Sequence, residues 1–252
     1  MKQVFKNLYC RWYYACVIAC FLALYPFIKF AARNPKRYYR RLVRLRRYFS
    51  VTGSYLAGIR YQAKYESPID WSRPYVICPN HTSNLDITAI NYLFRQPFSF
   101  LGKVELLNNP LTGIFFRSID IPVDRKQKIA AYRALKKAEA LLQSGNSLVV
   151  FPEGGIDNSY PPKFQAFKAG AFKLAIDGKI PILPVVIHNA WDLLWDDGRK
   201  SGAKPGKVYM TVLKPVETDS LGAEDLENLS ETIFQQMNTC WEQWNIRNLT
   251  KI

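Results

Sequence analysis

Two spacings of apolar residues divide this chain. From Glu66 onward, short apolar runs alternate with longer stretches in which apolar positions recur every three or four residues, the periods of strand and helix. The runs predict strands at residues 75–78, 99–101, 119–123, 147–151, 182–187 and 208–213. Helix spacing marks residues 87–93, 111–117, 126–142, 166–176 and 224–244. The third of these is the clearest, with Ile129, Tyr132, Leu135, Ala138 and Leu142 on one face and Gly145 to stop it. Such alternation predicts an α/β domain over residues 66–252, a mixed sheet flanked by helices, with functional loops after strand ends.

Residues 1–65 read differently, as a helical arm. Between Arg11 and Lys29 stand 17 uncharged residues, WYYACVIACFLALYPFI, apolar on every helical face. A helix of that length covers about 26 Å, slightly short of a hydrocarbon core of about 30 Å, so a short span, a hydrophobic hairpin arm and an embedded helix all remain open. No small-x-small cleavage pattern follows, which argues against a signal peptide. Next comes KRYYRRLVRLRRYF, Lys36 to Phe49. Wound at about 100° per residue, it places Tyr38, Tyr39, Leu42, Val43, Leu45 and Phe49 on one side and Lys36, Arg37, Arg40, Arg41, Arg44 and Arg47 on the other. Arg46 and Tyr48 are misfits.

Charge sharpens the division. Of the net +15, residues 1–65 supply 14 Lys/Arg and no acidic residue, leaving 21 basic and 20 acidic residues for the remainder. A basic amphipathic helix beside a long apolar segment predicts a bilayer partner. The eight Lys/Arg between residues 33 and 47 put the active domain at the cytoplasmic face. An arginine-rich nucleic-acid arm is the competing reading, and the adjoining apolar segment argues against it. Five scattered cysteines without a C-x-x-C pair fit reduced thiols, and two histidines 107 positions apart offer no standard zinc set.

The first predicted strand of the domain leads into NHTSNLD, Asn80 to Asp86. Residues five apart on a regular helix do not meet, so His81 and Asp86 can pair only if Thr82-Ser83-Asn84 turns the chain. Two readings compete. In one, Ser83 caps the next helix and Asp86 completes a capping box. In the other, Asp86 orients the His81 ring, which then acts as general base towards a substrate hydroxyl. With no G-x-S-x-G elbow present, the nucleophile in that second reading comes from the substrate.

NHTSNLD resembles the NHxxxxD motif of the PlsC-type glycerolipid acyltransferases, and further blocks follow in that family's order. GIFFRSIDIPVDR, Gly113 to Arg125, is similar to the second block, and FPEGG, Phe151 to Gly155, to the third. FKAGA, Phe167 to Ala171, matches an FKxGA element, and IPILPVVI, Ile180 to Ile187, the proline-containing fourth block. The likeness covers residues 75 to 215 or so. It implies transfer of a fatty acyl group, from acyl-CoA or acyl carrier protein, to the hydroxyl of a lysolipid such as lysophosphatidic acid. His81 and Asp86 would be catalytic, and no metal or other cofactor is implied. Arg125 would meet the acceptor phosphate, with Lys103 as a second cation, Glu153, Gly154 and Gly155 near the acceptor's hydroxyls, and Lys168 also at the substrate.

One departure bears on the acceptor. Where the family has Thr and then Arg after FPEG, this chain has Gly155, Ile156 and Asp157. That weakens the implication of a phosphate-bearing headgroup and keeps another lysolipid acceptor in play. A catalytically silent lipid-binding or scaffolding protein is the reading from another class. Pro181 and Pro184 are expected to shape a strand edge, and His188 to be structural.

Overall fold

The computed structural model describes residues 2–249. Its sheet has seven strands: β1 (Ile59–Tyr65), β2 (Val76–Pro79), β3 (Phe98–Lys103), β4 (Ile121–Val123), β5 (Ser147–Val150), β6 (Ile182–Ile187) and β7 (Gly206–Val212). They lie in the order β1-β7-β6-β2-β5-β3-β4. Strands β2 to β6 all run one way. β7 pairs antiparallel with β6, and β1 runs parallel to β7, so the sheet is mixed as expected.

Every residue of β2, β5 and β6 is buried, as a central strand covered on both faces requires. Their side chains alternate between two cores. Ile77, Val149, Leu183, Val185 and Ile187 face one shared with α1 (Lys2–Ala32), α2 (Pro35–Leu56) and α3 (Leu85–Leu93). Val76, Cys78, Leu148, Val150 and Val186 face another, formed with α5 (Lys128–Gln143), α6 (Gly170–Gly178) and α8 (Leu226–Leu249). Two short helices, α4 (Gly113–Phe116) and α7 (Ala190–Leu193), complete the chain.

The six predicted strands are all present, with ends shifted by at most two residues. β1 was not foreseen. It lies inside the stretch read as a helical arm, and Ile59 and Tyr61 are buried while Arg60 and Gln62 are exposed. In α5 the buried line runs through Ala134, Ala138 and Leu142, whereas Ile129 and Tyr132 face outward. Nor does Pro184 mark an edge, since β6 lies between β2 and β7, while Pro181 just precedes the strand. The interior position is tolerated because β7 starts its ladder with β6 at Val185, one residue past Pro184, whose carbonyl accepts from the Leu213 N–H at 3.1 Å.

α1 and α2 form a hairpin. Pro35 opens α2, and the Asn34 side chain accepts from Arg37 N at 3.3 Å. Gly53 lets the helices touch, because a Cβ there would lie 2.7 Å from Val17 Cα. α1 is the one helix, among the described residues, long and apolar enough to cross a membrane. Tyr13, Cys16, Val17, Phe21 and Ile28 face inward, and Val4, Phe5, Leu8, Trp12, Leu22, Phe27 and Phe30 outward.

The apolar side foreseen for α2 does not face lipid. Leu42, Val43 and Phe49 are buried in the protein, and Arg37, Arg40, Arg41 and Arg44 remain outside. Arg46, the misfit, is only 4% exposed. Its Nη1 donates to Asp120 Oδ1 at 2.5 Å, Nη2 to the Phe98 carbonyl at 2.8 Å and Nε to Asn91 Oδ1 at 3.2 Å. The rings of Phe98 and Phe100 each lie 4.7 Å from its guanidinium carbon. This cation therefore ties α2 to β3, α3 and the segment before β4.

Candidate active site

Because β2 to β6 are parallel, the residues following them collect at one edge of the sheet, where parallel α/β sheets place their sites. Asn80-His81 follow β2, Phe151 to Gly155 follow β5, Arg125 lies beyond β4, and Lys103 ends β3. Asn80 is fully buried and copies a ladder pair: its Oδ1 accepts from Ile187 N at 2.7 Å and its Nδ2 donates to Ile187 O at 3.0 Å. That fixes the chain immediately before His81.

His81 and Asp86 meet. His81 Nδ1 lies 3.0 Å from Asp86 Oδ2, and the same oxygen accepts from Thr82 N at 2.6 Å and Ser83 N at 2.8 Å. The turn is held from outside as well, because Ser83 Oγ donates to the Leu194 carbonyl while accepting from Leu85 N at 3.0 Å. The turn that both readings need is present: Asp86 meets the His81 ring and also accepts from the Ser83 N–H, although the helix is capped at Asn84, which makes no side-chain cap. Asp86 is fully buried, as only a paired carboxylate should be. An ionised Asp86 only accepts, so the Nδ1 proton points at it and Nε2 is left for a substrate. The His81 ring also stacks on Phe151, with centroids 4.0 Å apart and planes at 24°. Phe151 in turn stacks on Phe100 at 6.4 Å.

The Glu153 carboxylate is held by backbone amides. Oε1 accepts from His81 N at 2.7 Å and Oε2 from Gln165 N at 3.0 Å, which joins the histidine turn to the segment leading to Lys168. The side chain is 3% exposed. Burial pushes its carboxyl up to about 8, against the lowering effect of those two N–H groups. It braces these two segments, a role the sequence did not show.

Three cations converge on the turn that Glu153 opens. Arg125 Nη1 donates to the Gly154 carbonyl at 2.6 Å. A Cβ on Gly154 would lie 2.6 Å from Lys168 Nζ and 2.7 Å from Arg125 Nη1, and one on Gly155 would lie 3.5 Å from Lys103 Nζ. Gly154 has φ +79°, a conformation glycine adopts without strain. Among the described residues none of the three cations is paired with a carboxylate. Lys168 thus joins Arg125 at this turn, although it stands well beyond Ile156 in the sequence. Asp157 is engaged elsewhere, accepting from Ser159 Oγ and from Lys163 N at 3.3 Å.

His188 stays out of this group. It is 1% exposed and stacks on Trp244 at 5.1 Å, with Nε2 2.8 Å from Thr211 Oγ1. Burial lowers it to about 4, so it is neutral and structural as expected. Sequence reasoning missed Phe151 as the partner of the histidine ring; its place at the end of a strand, two residues before Glu153, was the available signal.

Residues 58–188 match the family described as Acyltransferase, which is over half of the chain. The chain belongs to the acyltransferase family. It is 28% identical over 209 residues to 1-acyl-sn-glycerol-3-phosphate acyltransferase alpha of Mus musculus, covering 80% of this chain and 70% of that protein. It is 33% identical over 168 residues to the 1-acyl-sn-glycerol-3-phosphate acyltransferase of Saccharomyces cerevisiae, covering 66% and 54%. In fold, this acyltransferase is similar to the 1-acyl-sn-glycerophosphate (LPA) acyltransferase PlsC from Thermotoga maritima, with TM-score 0.80, 21% identity and 97% and 98% of the two chains covered. The chain is thus an acyltransferase with a PlsC-like fold.

Proposed function

We propose that this acyltransferase moves a fatty acyl group from a thioester, on CoA or acyl carrier protein, to the free hydroxyl of lysophosphatidic acid, giving phosphatidic acid. The observation that carries the acceptor is the convergence of Lys103, Arg125 and Lys168 at the sheet edge that also holds His81. A phosphate there would meet three cations, one of them an arginine fork suited to two phosphate oxygens.

In this reading His81 Nε2 takes the proton of the acceptor hydroxyl as its oxygen attacks the thioester carbonyl. Asp86 holds the ring and offsets the charge that forms on it. The tetrahedral adduct collapses, the C–S bond breaks, and the imidazolium returns its proton to the departing thiolate. Ester and free thiol are the products, and neither metal nor further cofactor enters the scheme. Glu153 holds the His81 backbone, and Phe151 limits the ring to one plane.

Residues 1–65 contribute the membrane side. The outward apolar face of α1 supports residence in the bilayer, and the outward arginines of α2 support contact with anionic headgroups at the cytoplasmic face. A lysolipid could then reach His81 without leaving the membrane surface.

A second acceptor reading, a lysolipid without a phosphomonoester, is favoured by one observation, the Gly-Ile-Asp in place of Thr-Arg after the glutamate. Assaying wild type and Arg125→Ala on lysophosphatidate and on a phosphate-free lysolipid separates the two. The proposal expects a ten- to hundredfold loss of kcat/KM on lysophosphatidate, about 1.5–3 kcal/mol, and little change on the other acceptor. A wild-type preference for the phosphate-free lipid would overturn it.

A further inference from the structure

The opposite end of α3 carries a second group of cations. A cavity of about 440 Å³, within the usual range of roughly 300–1,000 Å³ for small-molecule sites, opens between α2, β1 and the two connections that lead into β2 and β3. Arg47, Tyr65, Trp71, Tyr92 and Arg95 line it, and no carboxylate does. The helix places Asp86 in its first turn and Tyr92 in its last, and its nine residues measure about 13 Å. The cavity is therefore separate from the site built around His81.

Its two arginines are unengaged. Among the described residues neither guanidinium has a hydrogen-bond or ion-pair partner, and Arg47 Nε is buried without an acceptor. The contrast with its neighbour is direct, since Arg46 uses all three of its nitrogens on protein acceptors. Leaving a buried donor unmet is costly, and an anion in the cavity would meet it. The walls are already in place. Trp71 packs edge-on against Phe94 at 5.3 Å, and Tyr92 stacks on Tyr61 at 5.2 Å, so their exposed faces need no rearrangement to receive a ligand.

We infer that this cavity binds a phosphate ester, with the Arg47 and Arg95 forks on the anion and the faces of Trp71, Tyr65 and Tyr92 against its organic part. Two guanidinium groups without a carboxylate select phosphate over a cation or a neutral sugar. The ester is either a lipid headgroup at the membrane surface or a soluble phosphorylated compound.

The test uses the full chain carrying Arg125→Ala, so that phosphate binding at the His81 edge is weakened beforehand. Tryptophan emission is followed during titration with inorganic phosphate, with glycerol 3-phosphate, and with phosphatidylcholine vesicles containing or lacking phosphatidate. A saturable change is expected that disappears in Trp71→Phe and weakens about ten- to a hundredfold in Arg47→Gln and in Arg95→Gln. Sodium chloride at equal ionic strength should not reproduce it. Response to the soluble esters assigns a soluble ligand, and response only to phosphatidate vesicles assigns a headgroup. A change that survives both arginine substitutions, one matched by sodium chloride, or no change with any probe overturns the inference. Arg95 is exposed, so Arg95→Gln reports even if Arg47→Gln disturbs folding. Because both substitutions are remote from His81, failure here leaves the proposed reaction standing.

Discussion

Gly154→Ala tests the cation cradle without removing a charge. Gly154 sits at φ +79°, where a β-carbon costs about 1–2 kcal/mol. That carbon would lie 2.6 Å from Lys168 Nζ and 2.7 Å from Arg125 Nη1, against an ordinary contact of roughly 3.5 Å or more. Lys168 can swing away on its flexible stem. Arg125 is held on the Gly154 carbonyl at 2.6 Å, so the methyl must break that contact or shift the turn. Losing the arginine contact alone is worth about 1.5–3 kcal/mol, and KM for a phosphate-bearing acceptor should rise about ten- to a hundredfold. Steady-state kinetics on lysophosphatidate and a phosphate-free lysolipid, with chemical denaturation alongside, measure both effects. Since the two changes act on one contact, Gly154→Ala with Arg125→Ala should cost much less than the sum of the single losses. A Gly154→Ala enzyme that loses stability but keeps KM on lysophosphatidate within twofold would show that the cradle does not hold the phosphate.

Three other outcomes follow from the same geometry. His81→Ala should abolish turnover with vesicle binding intact, while Asp86→Asn should leave more activity than His81→Ala, because an amide oxygen can still accept from His81 Nδ1 but cannot offset its charge; equal residual rates would deny the orienting role. Glu153 binds its proton more tightly in the fold, at about 8 against an ordinary 4.5, so its contribution is complete below about 4.5 and is lost as pH rises through about 8. Between pH 5 and 8.5, wild type should lose about 4 kcal/mol of unfolding free energy that a non-titrating Glu153→Gln does not lose, and parallel pH profiles would refute this. Replacing Arg37, Arg40, Arg41 and Arg44 with glutamine should lower binding to anionic vesicles by about 1 kcal/mol per charge at low salt, with little effect on a soluble short-chain substrate; binding insensitive to both the substitutions and added salt would remove the electrostatic contact.

The elements of the sheet domain were legible because its central strands are buried on both faces and so read as unbroken apolar runs. β1 escaped for the opposite reason. Its alternation of Ile59, Tyr61 and Ala63 with Arg60, Gln62 and Lys64 is an edge-strand pattern, and the positive charge around it drew the segment into the arm. The two faces of α2 were visible in sequence, but not what each face meets, since an apolar stripe serves a protein core as well as a lipid surface. His81 and Asp86 were legible through spacing and turn residues. The bracing by Glu153 was not legible because the sequence shows a carboxylate beside two glycines but not the His81 and Gln165 amides that donate to it. Lys168 lies thirteen positions beyond Gly155, and only the fold brings its ammonium to the Gly154 turn.

The inward turn of Arg46 sets how a water-soluble form of this enzyme could be made. Cutting the chain after α2 would strand Asp120 in the interior without its cation and leave Asn91 and the Phe98 carbonyl short of a donor, a loss of about 3–5 kcal/mol from the ion pair alone. The same cut would bare Phe98 and Phe100, which lead through Phe151 to His81. The hairpin must therefore be kept and its outer coat changed: polar replacements at Val4, Phe5, Leu8, Trp12, Leu22, Phe27 and Phe30 alter only side chains that face away from the protein.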